Sequence, residues 1–219
     1  MPHTGPLVRA LAVAATGLMA AATLGACSDG EQSSGAAVSS SPEPSASSSP
    51  EPSMSGGYVV GPDGKLLKPT DAPVPVLPET PASITENTPE AAEDFARYFV
   101  AVTEYAWNSG DTTRLKEISS DGCEMCSSFS STIEDRVDKG GWVLGLKYKV
   151  LQIDSMGPHP EDSSRLIFVI HINSSAESAY TGSRIVLISP KDELLEMHTC
   201  FSDSWIACGG GAGESTDSG

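Results

Sequence analysis

Positive charge is what this 219-residue sequence has least of: 13 Lys and Arg stand against 29 Asp and Glu, a formal net charge of −16. So acidic a chain is not built to neutralise phosphates. That excludes a nucleic-acid partner and charge-driven docking on anionic lipid headgroups. Aromatics are only 6% of the residues and histidines number four, so ring stacking and imidazole chemistry have few places to reside. Long apolar runs are missing as well. The longest, the alanine-rich stretch from Ala10 to Leu24, falls short of the ~20 residues that span a bilayer comfortably.

What is there begins with that same stretch. Arg9 is the only charged side chain before it, and it ends in Leu24-Gly25-Ala26-Cys27, followed at once by the polar Ser28-Asp29-Gly30. The layout is that of a secretory signal peptide with a cysteine at the start of the mature chain. It resembles a bacterial lipobox, which implies lipidation of Cys27, loss of residues 1–26 and attachment to the extracytoplasmic face of the cell membrane. Two or three acyl chains on one residue anchor stably where one would not. The other cysteines are Cys123, Cys126, Cys200 and Cys208, and an even remainder in an exported protein reads as disulfides. Of the three connectivities, closeness in sequence favours Cys123–Cys126 and Cys200–Cys208.

Composition then divides the chain. Residues 27–81 read as a lipidated, disordered Ser/Pro-rich tether, with Ser-Pro-Glu-Pro-Ser at 41–45 and again at 49–53. Such a segment has too little apolar surface to offset the entropy of ordering it. Tyr58-Val59-Val60 and Lys65-Leu66-Leu67 around a Pro-Asp-Gly turn would make a hairpin, but a lone hairpin is marginal in water, which favours linker there too. The folded domain is expected over 82–208, and the glycine-rich, acidic 209–219 is expected to be a disordered tail.

Within the domain, Thr88-Pro89-Glu90 is a helix start. Ala92, Phe95, Ala96, Phe99, Val102 and Ala106 follow at helical spacing, with Gly110 as the stop. Asp111 caps a short second helix through Leu115 and Ile118, and a third runs from about Cys123 to Lys139 before Gly140-Gly141. The period then changes to two. Trp142, Leu144, Leu146, Tyr148 and Val150 lie on one strand face, with a bulge expected at Val150-Leu151. Further strands are expected at Arg165–Asn173, Tyr180–Ile188 and Leu194–Phe201. Helices followed by strands indicate α+β, with N-terminal helices packed on an antiparallel sheet.

Phe95-Ala-Arg-Tyr-Phe, Tyr105-Ala106, Gly110-Asp111-Thr112, Leu115, Ser119, Cys123-Glu-Met-Cys126, Ile133 and Gly140-Gly141-Trp142 together resemble an actinobacterial lipoprotein family, domain of unknown function 6318. The likeness covers residues 85–145 best. It implies an address and no reaction. The order of helix, Gly-Asp, short helix and curved sheet is also similar to the nuclear transport factor 2-like cone, a fold that hosts many unrelated functions.

In such a cone an enzyme needs an acid or base facing an apolar pocket. The pocket candidates are Tyr98, Tyr105 and Glu134, with His198 beside them, and none has a partner at a spacing that guarantees proximity. No catalytic residue is therefore assigned, and no cofactor is expected. His171 and His198 near Cys200 lack a fixed ligand geometry, so no metal site is assigned. His159, among prolines and acids, reads as part of a hairpin loop. Cys123-x-x-Cys126 at a helix start offers a thiol–disulfide oxidoreductase reading, since a helix N-terminus lowers a thiol pKa. It does not follow a strand in a βαβ unit, and Glu124 opposes a thiolate. The expectation is a lipid-anchored binding or interaction module of the cell envelope, with a small-molecule enzyme or an oxidoreductase as alternatives. Its partners are the membrane through Cys27 and an unknown envelope protein or small ligand. The half-apolar outer face of Ile167, Val169 and His171 adds a weak homodimer.

Overall fold

A computed structural model describes residues 53–214. The expected signal peptide 1–26, the lipidation site Cys27 and the tether up to residue 52 lie outside the described residues, as do 215–219. Helix α1 spans Pro89–Ser109, with the Thr88 hydroxyl accepting the Ala91 amide at its start. It ends at Gly110, whose φ of 81° is the left-handed conformation that glycine adopts without a Cβ penalty. Its apolar stripe is buried along its whole length, from Ala92 through Phe95, Phe99 and Val102 to Ala106. Helix α2, Thr113–Glu117, and helix α3, Glu124–Asp138, follow. Asp111 accepts the Thr113 amide at the start of α2. The Cys123 sulfur accepts the Cys126 amide at the start of α3.

The described strands form three antiparallel sheets. A small one pairs β1, Met54–Ser55, with β2, Tyr58–Val59. A second has the order β3 (Trp142–Leu144), β6 (Ser178–Tyr180), β7 (Ile185–Leu187). The largest has the order β4 (Lys147–His159), β5 (Asp162–Ser175), β8 (Lys191–Phe201), β9 (Trp205–Glu214). The expected bulge is present, as the register shift between Val150 and Gln152 leaves Leu151 without a partner. Phe168, Ile170 and Ile172 of β5 with Leu195 and Met197 of β8 share one buried core with α1, α2 and α3.

The expectation of an α+β fold with N-terminal helices on a single curved sheet, the nuclear transport factor 2-like cone, is corrected. Over the described residues the protein is mostly β-sheet, in three antiparallel sheets, with three α-helices. The cause is local. Trp142 to Val150 reads as one alternating strand, but Gly145 takes a φ of 69°, which breaks the run and sends β3 and β4 into different sheets. Likewise Tyr180–Ile188 is two strands, β6 and β7, separated by a turn in which Gly182 has a φ of 88°. Alternation marks which residues face inward and carries no information about which strand pairs with which.

Two further segments carry more contacts than their composition suggests. In the stretch read as distal tether, Tyr58 stacks on Trp142 at 5.3 Å between centroids, and the Trp142 indole donates to the Leu66 carbonyl. Lys68 donates to the Asn108 carbonyl at 2.6 Å, and a 3-10 turn, Ala82–Thr85, leads into α1. At the other end, β9 runs through Gly209 to Gly213 as the edge of the large sheet. Gly210, at a φ of 135°, passes so close to β8 that a Cβ would lie 2.1 Å from the Glu196 carbonyl oxygen. From Gly209 to Gly213 the strand has almost no side chains, and backbone pairing with β8 holds that part of it. Among the described residues, no helix is long and apolar enough to cross a membrane.

Candidate functional site

The pocket candidates named from the sequence do not meet. Tyr98 is buried on α1; its hydroxyl takes a hydrogen bond from Arg114 Nε at 2.8 Å and lies 3.0 Å from the Thr80 hydroxyl. Tyr105 donates to Asp111 at 3.2 Å. Glu134, on α3, pairs with Lys116 and accepts from the Thr112 hydroxyl, and these two contacts hold its carboxyl below the usual range. All three are engaged by partners within residues 111–114, and they do not line one pocket together. The histidines engage carboxylates, His171 with Asp154 at 3.1 Å and His198 with Glu196 at 2.9 Å, while His159 lies edge-on to His198. Among the described residues, no group of three His, Cys, Asp or Glu is placed to hold a metal ion.

Four of the cysteines form the bridges Cys123–Cys126 and Cys200–Cys208. The first is sealed, with Cys123 0% and Cys126 2% exposed. A redox dithiol needs a sulfur that a second thiol can reach, so the geometry points to a structural role at the start of α3.

A cavity of about 340 Å³ lies between the helices and the inner face of the large sheet. Val100, Thr103 and Trp107 line it from α1, and Phe129 does so from α3. Tyr148, Ile172 and Leu195 form the sheet side, with Lys191, Glu193, Ala212 and Gly213 towards the sheet end. The volume is in the range of small-molecule sites, and the composition is that of one, apolar walls with few polar groups. Thr103 turns its hydroxyl to the Phe99 carbonyl, which leaves its methyl group for the cavity. Glu193 and Lys191 pair at 2.6 Å. Burial pushes the Tyr148 phenol well above its ordinary pKa, and the nearby Glu193 and Glu104 charges push the same way, so at neutral pH it stays a hydroxyl and can donate a hydrogen bond. Among the described lining residues Glu193 is the one acid, set among apolar and aromatic walls and paired with Lys191.

Sequence reasoning missed Tyr148, Glu193 and Trp107. Val100, Thr103 and Trp107 do follow one another at helical spacing, but that pattern is the same whether a core or a cavity lies beneath it. Beside this cavity a second cleft of about 360 Å³ runs under the Pro73–Pro78 segment, and Val100 and Tyr148 line both.

Known proteins bear on this geometry at one point. A family description of unknown function, DUF6318, matches residues 65–194. The chain belongs to that family. The match takes in the helices, most of the strands and nine of the twelve residues of the cavity lining, beyond the 85–145 core of the resemblance. No curated protein matches the chain. Among solved structures it is similar to the intermembrane space region of the chloroplast protein ARC6, at 12% identity and a TM-score of 0.46, over 63% of this chain and 100% of that one. So distant a likeness carries no argument about the function of this member of the family.

Proposed function

We propose that the chain is a lipid-anchored, extracytoplasmic binding module of the cell envelope. Its ligand is a small molecule with an apolar body and a hydrogen-bonding end. The cavity between α1, α3 and the large sheet carries this reading. Its walls of Val100, Trp107, Phe129, Ile172 and Leu195 suit the apolar body, and burying that body supplies most of the affinity. The Tyr148 hydroxyl and the Lys191–Glu193 pair meet the polar end and set its orientation. Glu193, the one acid in the described lining, is engaged by Lys191, which favours holding a ligand over proton transfer. The anchoring half of the proposal rests on the Leu24-Gly25-Ala26-Cys27 spacing.

The cavity is tested with anilinonaphthalenesulfonate, a dye that fluoresces on entering apolar sites. The protein should show saturable enhancement. Ala212→Trp, at the exposed end of the lining, should weaken it at least tenfold without loss of the folded signal. Equal enhancement in the two proteins would remove the cavity as the site. Anchoring is tested by detergent phase separation. The intact chain should enter the detergent phase and Cys27→Ser the aqueous phase, and retention of the variant with detergent would end the lipid reading.

A further inference from the structure

A second, smaller pocket of about 60 Å³ lies beside Trp107, between the end of α1, α3 and the start of β3. Two of its lining residues, Lys68 and Arg136, are cations, and none of the described residues lining it is Asp or Glu. The Arg136 guanidinium lies over the Trp107 ring, 5.4 Å from its centroid. Its Nε is buried and has no hydrogen-bond partner among the described residues. A guanidinium has donors only and does not give up its proton, so that N–H has to find an acceptor that these residues do not supply.

Lys68 donates to the carbonyl of Asn108, in the last turn of α1. The end of a helix is worth about half a negative charge, which offsets less than one of the two cations. Burial lowers the Lys68 pKa from 10.5, as for an ammonium lacking a full counter-charge. The pocket's size is also restrictive. It admits only a few groups of the size of a water, each needing about 10–15 Å³ of such space. Gly141 closes one wall, where a Cβ would lie 2.7 Å from Arg136 Cγ and 2.5 Å from the Tyr180 carbonyl oxygen.

We propose that this pocket is an anion site taking a single monovalent ion of halide size, held by the Arg136 Nε–H and the Lys68 ammonium. The ion supplies the acceptor that Arg136 lacks and balances two cations in an otherwise acidic protein. It also fixes the end of α1 against the start of β3. The site is separate from the ligand cavity, although Trp107 borders both.

The experiment uses the full chain in detergent and compares sodium chloride with sodium gluconate, whose anion is too large for the pocket, at equal ionic strength. Chloride should raise Tm along a saturating curve, and gluconate should not. Bromide in place of chloride should quench the fluorescence of Trp107 and Trp142 with the same midpoint. Lys68→Gln should keep the fold and raise the midpoint at least tenfold, and Arg136→Gln should abolish saturation. Identical melting in the two salts, with bromide quenching that stays linear, would mean that water fills the pocket and would overturn the proposal. An unchanged midpoint in Lys68→Gln would overturn the assignment of the site.

Discussion

The indole N–H of Trp205 donates to the backbone carbonyl of Glu86 at 2.8 Å, joining residues 119 apart in the chain. One hydrogen bond thus ties β9, the last strand of the large sheet, to the turn that precedes α1. The ring itself is 3% exposed and stacks edge-on against Phe201 at 5.2 Å. Removing the donor and keeping a ring isolates the bond. Trp205→Phe should cost about 1 kcal/mol, and Trp205→Ala, which also empties the site, about 3–5 kcal/mol. Urea denaturation measures both. No measurable cost for Trp205→Phe would show that packing alone matters here.

Asn108 does a comparable job between α1 and β4. Its side-chain amide donates to the Leu146 carbonyl at 2.9 Å and accepts the Leu146 amide at 3.0 Å, copying a strand partner just where Gly145 has broken the run. Asn108→Leu fills similar space but leaves both backbone groups of Leu146 unpaired, at a cost of about 1–3 kcal/mol for each buried one. We expect early amide exchange at Leu146 in that variant. Exchange as slow as in the parent protein would show that the Asn108 bond is not what protects the Leu146 amide.

The two disulfides close short loops, so each should contribute less than the ~3 kcal/mol expected of a 15-residue loop. Peptide mapping without reduction should yield Cys123–Cys126 and Cys200–Cys208 and no cross-pair. Since Cys123 and Cys126 are sealed, the folded protein should not turn over a disulfide substrate. Sustained turnover would move it to the oxidoreductases.

How much of this was legible in the sequence depended on the range of the interaction. Helix α1 was readable almost to the residue because its N-cap, its stripe and its Gly110 stop all lie within one stretch. The bulge after Val150 was readable because phase slips show in a single strand. The division into three sheets was not, since it turns on Gly145 and Gly182 adopting positive φ, and a glycine in sequence does not announce its dihedral. Strand β9 was hidden by its composition. Gly209 to Gly213 has almost no side chains to alternate, and its pairing is dictated by the Cys200–Cys208 bridge and the reversal at 202–204. The cavity was illegible for a different reason. Trp107, Tyr148 and Glu193 come from three elements, and only the packing of those elements creates the space between them.

Among the described residues, three carboxylates with lowered pKa contribute to the response to acid. Hydrogen bonds from Thr113 lower the Asp111 pKa, contacts with Lys116 and then Thr112 lower that of Glu134, and hydrogen bonds from Ser164 lower that of Asp162. A carboxyl whose folded pKa lies below its unfolded value binds fewer protons in the folded state. Its contribution is therefore fully present above the unfolded pKa and is lost as pH falls through the folded one. The ordinary values are 3.8 for the two Asp and 4.5 for Glu134, so Tm should be flat near neutrality and fall below about pH 4.5. The Glu134–Lys116 pair is largely exposed, 41% and 56% for the two side chains, and solvent screening limits it to below about 1 kcal/mol. Glu134→Gln should thus be slightly less stable than the parent at pH 7, with the difference closing as the pH drops below 4.5. High salt should shrink the same gap at neutral pH. A gap that widens on acidification would mean that Glu134 is held protonated in the folded protein, contrary to the two contacts that stabilise its charge.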